Sequence, residues 1–189
     1  MNMCTFKKIA ITNRKICDGR LADRISEIIG FTDMIILREK DMSVNDYELL
    51  AKNVIDLCEK NNKLCVLHSF TDVARRLNHR AIHLPMGELR RQARKLCDFN
   101  IIGASVHSLE EAIDAESLSA SYIVAGHIFP TECKAGALPR GTDFLKEICE
   151  NVHIPVYAIG GINDSNEELV KKCGAAGACR MSGYMRVRE

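Results

Sequence analysis

The chain lacks an excess of charge of either sign. Its 26 Lys and Arg against 25 Asp and Glu leave a net charge of +1. No basic block stands out, so electrostatics argue against nucleic acid and against a membrane surface as partners. A long apolar run is also missing: none approaches the ~18 residues that a membrane helix needs. Although there are 9 cysteines, no C-x-x-C pair occurs, which leaves zinc and redox chemistry without a motif. There is no signal-like N-terminus and the cysteine count is odd, so the expectation is a reducing cytoplasm and mostly buried thiols. No low-complexity linker divides residues 1–189, which are read as one domain. A chain of this size buries roughly 70% of the surface its unfolded form exposes, enough for a core without disulfides or metal.

What the chain has is alternation. Short β-branched runs occur at 6–11, 33–38, 63–68, 80–85, 100–106, 121–129, 154–161 and 176–183. Stretches with helical spacing lie between them, at 19–29, 43–60, 70–78, 86–98, 109–119, 142–151 and 164–173. Ser43 reads as an N-cap, since its hydroxyl can accept an orphan N–H of the first turn. Ser108-Leu-Glu-Glu111 reads as a capping box. Asn163 or Asp164 reads as a cap for the last helix, and Gly174 as its stop.

Eight strands separated by helices predict a parallel sheet, because parallel neighbours need crossover helices. Eight such strands close into a (β/α)₈ TIM barrel, here a compact one with its last outer helix truncated or absent. The rival, an open doubly wound sheet, is weakened by the lack of a G-x-G-x-x-G after the first strand.

In such a barrel, chemistry sits at the C-terminal strand ends and the loops that follow them. Residues 126–141, GHIFPTECKAGALPRG, form the longest of these loops, and a long polar loop rich in glycine points to function. His127 at its start is either an acid/base, since imidazole titrates near neutral pH, or a hydrogen-bonded wall residue. Gly160-Gly161 after strand seven, with Met181-Ser182-Gly183 after strand eight, suit a phosphate, because backbone N–H groups without Cβ atoms approach an anion closely. The plainer alternative is two tight turns. Arg38 and Lys40, two residues apart at the end of strand two, share a face and suit a phosphate, diphosphate or carboxylate; the alternative is a solvated rim cluster. Ser105 and His107 end strand five. Cys133 has no base beside it in the sequence and is read as a packing or loop residue.

At these residues the chain resembles thiamine phosphate synthase and its TenI relatives. The resemblance is carried by "SVHSLEEAIDAESLSASYIVAGHIFPTECKAGALPRG", "IPVYAIGGI", "GAAGACRMSG" and "ILREK". It implies a (β/α)₈ barrel, usually a homodimer, that acts on a thiazole phosphate in thiamine biosynthesis. The synthase branch joins a hydroxymethylpyrimidine diphosphate to the thiazole phosphate and uses Mg²⁺ held by aspartates after strands three and four. The TenI branch includes thiazole tautomerases, which move a proton without metal.

Where the synthase has an Asn-Asp pair, this chain has His68-Ser69-Phe70. Where it has His-Leu-Gly-Gln-x-Asp, this chain has His83-Leu84-Pro85-Met86-Gly87-Glu88. Glu88 is the one carboxylate at a matching place, and Mg²⁺ prefers hard oxygen ligands. His127 matches the tautomerase histidine, and Thr131, Cys133 and Lys134 match its "T-x-C-K" loop, while Lys40 matches the synthase "R-x-K".

The sequence therefore predicts a TenI-type thiazole tautomerase without a cofactor. His127 is its acid/base, and Arg38, Lys40, Ser105, Thr131 and Lys134 bind substrate. The phosphate falls to Gly160, Gly161, Met181 and Ser182. Two readings stand beside it: a divergent synthase with Mg²⁺ on Glu88, and a non-catalytic binder of thiamine intermediates.

Overall fold

Each apolar run becomes a strand shielded on both faces, one by the barrel interior and the other by helices. In the computed structural model, which describes residues 5–132 and 136–186, the strands are β1 (Lys7–Ile11), β2 (Met34–Leu37), β3 (Leu64–His68), β4 (Ala81–Pro85), β5 (Ile101–Val106), β6 (Tyr122–Gly126), β7 (Val156–Ile159) and β8 (Gly177–Arg180). They pair in parallel in chain order, and β8 closes on β1. The helices are α1 (Leu21–Ile28), α2 (Val44–Lys60), α3 (Thr71–Arg76), α4 (Met86–Gln92), α5 (Leu109–Ser117), α6 (Gly141–Asn151), α7 (Glu167–Lys172) and α8 (Ser182–Met185). This is the predicted TIM barrel, with a single turn at the position of the final helix.

Period-two alternation divides the strand residues into two cores. Ile9, Ile11, Met34, Ile36, Val66, Ala81, Tyr122, Val124, Tyr157 and Cys179 fill the barrel interior. Their neighbours in sequence, such as Ala10, Ile35, Leu67, Ile82 and Ile123, pack outward under α1–α7. Burying each of the larger aliphatic side chains contributes about 1.5–3 kcal/mol, so both faces of every strand hold the barrel closed.

The helix starts follow the sequence in two places and depart from it in a third. Ser43 Oγ accepts from Asp46 N at 3.2 Å, and Ser108 Oγ from Glu111 N at 3.1 Å. Neither Asn163 nor Asp164 caps α7. Asn163 Oδ1 closes a local turn on Ser165 N at 2.9 Å, Asp164 pairs with Arg180 at 2.7 Å, and the helix starts at Glu167. The ion pair draws Asp164 away from the helix end, so the sequence-level cap is overridden by a tertiary contact. Gly174 does end α7, at φ +89°.

Among the described residues no helix is long and apolar enough to cross a membrane. Cys58, Cys65 and Cys179 are buried free thiols, whereas Cys97 is exposed.

Candidate functional site

Inward-facing positions that come last on each strand open into a cavity of about 600 Å³ at the C-terminal end of the barrel. It gathers nearly every residue singled out in the sequence: Arg38 and Lys40 from β2, Ser105 and His107 from β5, His127 and Thr131 from β6, Gly160 and Gly161 from β7, and Met181 and Ser182 from β8. Of the other predicted residues, Lys134, like Cys133, lies outside the described residues. Glu88 lines a neighbouring cavity between α3 and α4, where its carboxylate accepts from Arg91 and, at 2.8 Å, from Gln92 Nε2. As the first-turn carboxylate of α4, it is drawn to the donors Arg91 and Gln92 one turn along its own helix.

The β2 end is built to separate its charges. Thr12 Oγ1 donates to Glu39 Oε1 at 2.7 Å and accepts from Arg38 N at 2.8 Å. Glu39, buried, also takes Arg14 N at 3.1 Å and Arg14 Nη1 at 3.2 Å. Its charge is therefore spent on β1 and the turn after it. Alternation sends Arg38 and Lys40 the other way, to the pocket, and neither forms an ion pair among the described residues. Partial burial, then the charge of Arg38, holds Lys40 below the usual lysine range. A bound anion would relieve both cations.

The pocket floor is a polar layer that sequence reading passed over as mere departures from a motif. His68 stacks on His83 at 5.4 Å between ring centroids, and His83 lies 5.6 Å from Tyr122, which lies 5.2 Å from Tyr157. His83 spends both ring nitrogens, on Tyr122 Oη at 3.2 Å and Ser105 Oγ at 2.8 Å. His68 Nδ1 meets Ser69 Oγ at 2.8 Å. Burial, then His83 and the cations Lys40 and Arg38, pushes His68 down to about 2. Burial, then Lys40 and Arg38, pushes His83 down to about 3. Both imidazoles are neutral at physiological pH.

Gly103 makes room for this layer, since a Cβ there would collide with Tyr122 and His83. The signal was present in the sequence: His68 shares the strand phase of Val66, and His83 that of Ala81, so both had to point inward. Tyr47 of α2 anchors the layer from outside. Its hydroxyl donates to Leu37 O at 2.7 Å and accepts from His68 N at 3.1 Å.

The far arc of the rim is made of main chain. Gly160 and Gly161 sit at φ +103° and +64°. A Cβ on either would strike the loop after β6, at His127 for Gly160 and at Phe129 and Pro130 for Gly161. That loop is bonded to β7 by Ile128 N to Ile159 O at 2.8 Å and Phe129 N to Gly160 O at 3.0 Å. The glycines thus serve the packing of two loops. The same turn leaves the N–H groups of Gly160 and Gly161 without an acceptor among the described residues, as are those of Ser182 and Gly183. His127 is buried against this arc. Its Nε2 meets Ala137 O at 3.3 Å, and its Nδ1 is a buried polar atom without a hydrogen-bond partner among the described residues.

Arg180, a buried cation that the sequence reading missed, braces the arc from β8 with ion pairs to Asp164 at 2.7 Å and Glu167 at 2.6 Å. It sits in a run of small and apolar strand residues, where nothing in spacing marks it as paired.

Comparison with known proteins bears on the chemistry. The model of the family described as thiamine monophosphate synthase matches residues 9–184. A thiamine-phosphate synthase of Fusobacterium nucleatum is 32% identical over 193 aligned positions, covering 100% of this chain and 94% of that protein. One from Pyrococcus abyssi is 35% identical, covering 90% of this chain and 84% of that protein. Among solved structures, a thiamine phosphate pyrophosphorylase from Pyrococcus furiosus superposes with a TM-score of 0.86 at 31% identity, over 99% of this chain and 91% of that one.

These relatives overturn the tautomerase expectation. Full-length similarity falls on proteins named as synthases, so the isomerase reading, drawn from His127, its loop and the missing carboxylates after strands three and four, gives way to the transferase reading. The TenI branch is not singled out by the match; the wider family is.

Proposed function

The chain belongs to the thiamine monophosphate synthase family, and from that membership we propose that it is a transferase joining a hydroxymethylpyrimidine diphosphate to a thiazole phosphate. The observation that carries this reading is a single pocket with two separate anion-facing arcs. Arg38 and Lys40 form one, and the open N–H groups of Gly160, Gly161, Ser182 and Gly183 form the other. Two phosphorylated substrates need two such arcs with their reacting ends between them.

In the transfer, the C–O bond between the pyrimidine methylene and the diphosphate breaks, and its electron pair leaves with the diphosphate. The thiazole nitrogen lone pair forms the new C–N bond, and the product carries the positive charge on that nitrogen. Arg38 and Lys40 face the charge that develops on the leaving group, where fixed cations lower the barrier most. The glycine arc holds the thiazole phosphate, with Met181, Ser182 and Thr131 closing around it.

No proton changes place in this reaction, so His127 is assigned to positioning: its open Nδ1 meets a polar group of the bound ligand. Ser105 does the same from the floor, through its bond to His83.

The family implies Mg²⁺, and the residues present do not fit it. Magnesium is bound through carboxylates and phosphates. Glu88 is turned away to Arg91 and Gln92, and Glu132 is paired with Arg186 at 2.9 Å. No group of three potential ligands occurs among the described residues.

The test is formation of thiamine phosphate from the two precursors, read as thiochrome fluorescence. Product from the wild type, and at least about tenfold less from Lys40→Ala, supports the reading. No product from the wild type, with magnesium or without it, overturns it. A cytosolic homodimer is proposed with it, and light scattering at one half or all of the dimer mass decides the second part.

A further inference from the structure

The strand ends that offer no carboxylate and the cations that form no ion pair among the described residues lie on the same arc. Arg38 and Lys40 stand at the end of β2, and the neighbouring ends of β3 and β4 present His68 and His83. A carboxylate at either place would pair with Lys40 in the empty pocket and would need a divalent cation to hold a diphosphate beside it. A neutral imidazole does neither. Both rings are buried and stacked, His83 has no nitrogen to spare, and their depressed pKa values keep them uncharged. The two acids in the same turn are drawn off, Glu39 by Thr12 and Arg14 and Asp41 by Arg14 and Lys15. The arc therefore carries two positive charges with no negative charge to share them.

We infer that this pocket holds a diphosphate by direct ion pairs to Arg38 and Lys40 over a floor of neutral histidines, with no divalent cation between. The inference rests on the transferase reading for the identity of its ligand. It says that the charge neutralisation expected of a metal has passed to side chains of the chain itself. A guanidinium offers paired N–H donors to adjacent phosphate oxygens, and the ammonium adds a compact charge beside it.

The test is calorimetric titration of inorganic pyrophosphate into the protein, once with a chelator and once with excess magnesium chloride. The expected result is binding with chelator present at an affinity equal to or tighter than with magnesium, because magnesium complexation takes charge from the ligand. Lys40→Ala weakens it by at least about tenfold in both buffers, and Lys40→Arg keeps it within about threefold.

Binding only with magnesium overturns the inference, as does an unchanged affinity in Lys40→Ala or no binding in either buffer. His68→Asp serves as a second variant: a carboxylate there is expected to weaken binding with chelator by at least about tenfold, with far-ultraviolet circular dichroism unchanged, and unchanged chelator-resistant binding in that variant overturns the inference. Turnover is read separately. Metal-free pyrophosphate binding without thiamine phosphate formation under either condition sinks the transferase reading, not the binding mode.

Discussion

At the ends of β7 and β8 the pocket wall is main chain, whereas at the ends of β2, β3 and β4 it is side chain. The first arc is shaped by glycines whose φ angles and close neighbours admit no other residue. The second is shaped by Arg38, Lys40, His68 and His83; Arg38 N donates to Thr12, His68 N donates to Tyr47, and the two imidazoles bond to Ser69 and Tyr122. The difference teaches where each arc is fragile. A backbone wall cannot be altered without moving the loops packed on it. A side-chain wall can lose a group and keep the fold.

The largest expected effect comes from breaking the first arc. Gly160→Ala introduces a Cβ at positive φ against His127 and is expected to cost at least about 2 kcal/mol of stability, read by urea denaturation. A variant as stable as wild type would show that the loop after β6 yields, and would dissolve the contrast.

The second arc is expected to behave oppositely. Lys40→Ala changes stability by less than about 0.5 kcal/mol in the same experiment while losing pyrophosphate affinity. Equal losses of stability in both variants would erase the distinction.

A pH series sharpens it further. In the unfolded chain His68 and His83 titrate near ~6.5, but in the fold burial takes them to about 2 and about 3. Between ~6.5 and the folded values the unfolded state binds more protons, so stability falls as pH drops, by up to ~1.4 kcal/mol per pH unit for each histidine. Denaturation midpoints at several pH values down to about 4.5 are expected to fall less steeply in His68→Asn than in wild type. Parallel slopes would mean that His68 takes up its proton in the fold.

An intermediate effect on stability is expected at Ser105. Ser105→Ala leaves His83 Nε2 short of its partner and costs about 1–2 kcal/mol, with circular dichroism unchanged. A larger loss of turnover than of stability would place the hydroxyl on the ligand as well.

Much of this was legible beforehand because it is local. The strand runs, the caps at Ser43 and Ser108 and the stop at Gly174 depend on neighbours a few residues away. The pocket positions of Arg38, Lys40, His127, Gly160 and Ser182 follow from period-two alternation and the rule that strand C-termini line the mouth of a barrel. The chemistry was misread because His127, its loop and the missing carboxylates after strands three and four were taken as marks of the tautomerase. His68 and His83 had the right phase, yet they stood out only as missing carboxylates.

The sequence by itself determined the barrel, since eight apolar runs spaced by amphipathic helices close in one way, and it determined which strand ends carry charge. Only the tertiary structure decided how that charge is spent. Glu39, Asp164 and Glu88 have the same acidic chemistry and all follow the C-terminal end of a strand. Thr12 and Arg14 take the first, Arg180 the second, and Arg91 and Gln92 the third. Lys40, next to Glu39 in sequence and lining a cavity with Glu88, is left facing the pocket. Pairing of charges depends on distances between segments far apart in the chain, and those distances exist only once the barrel has closed.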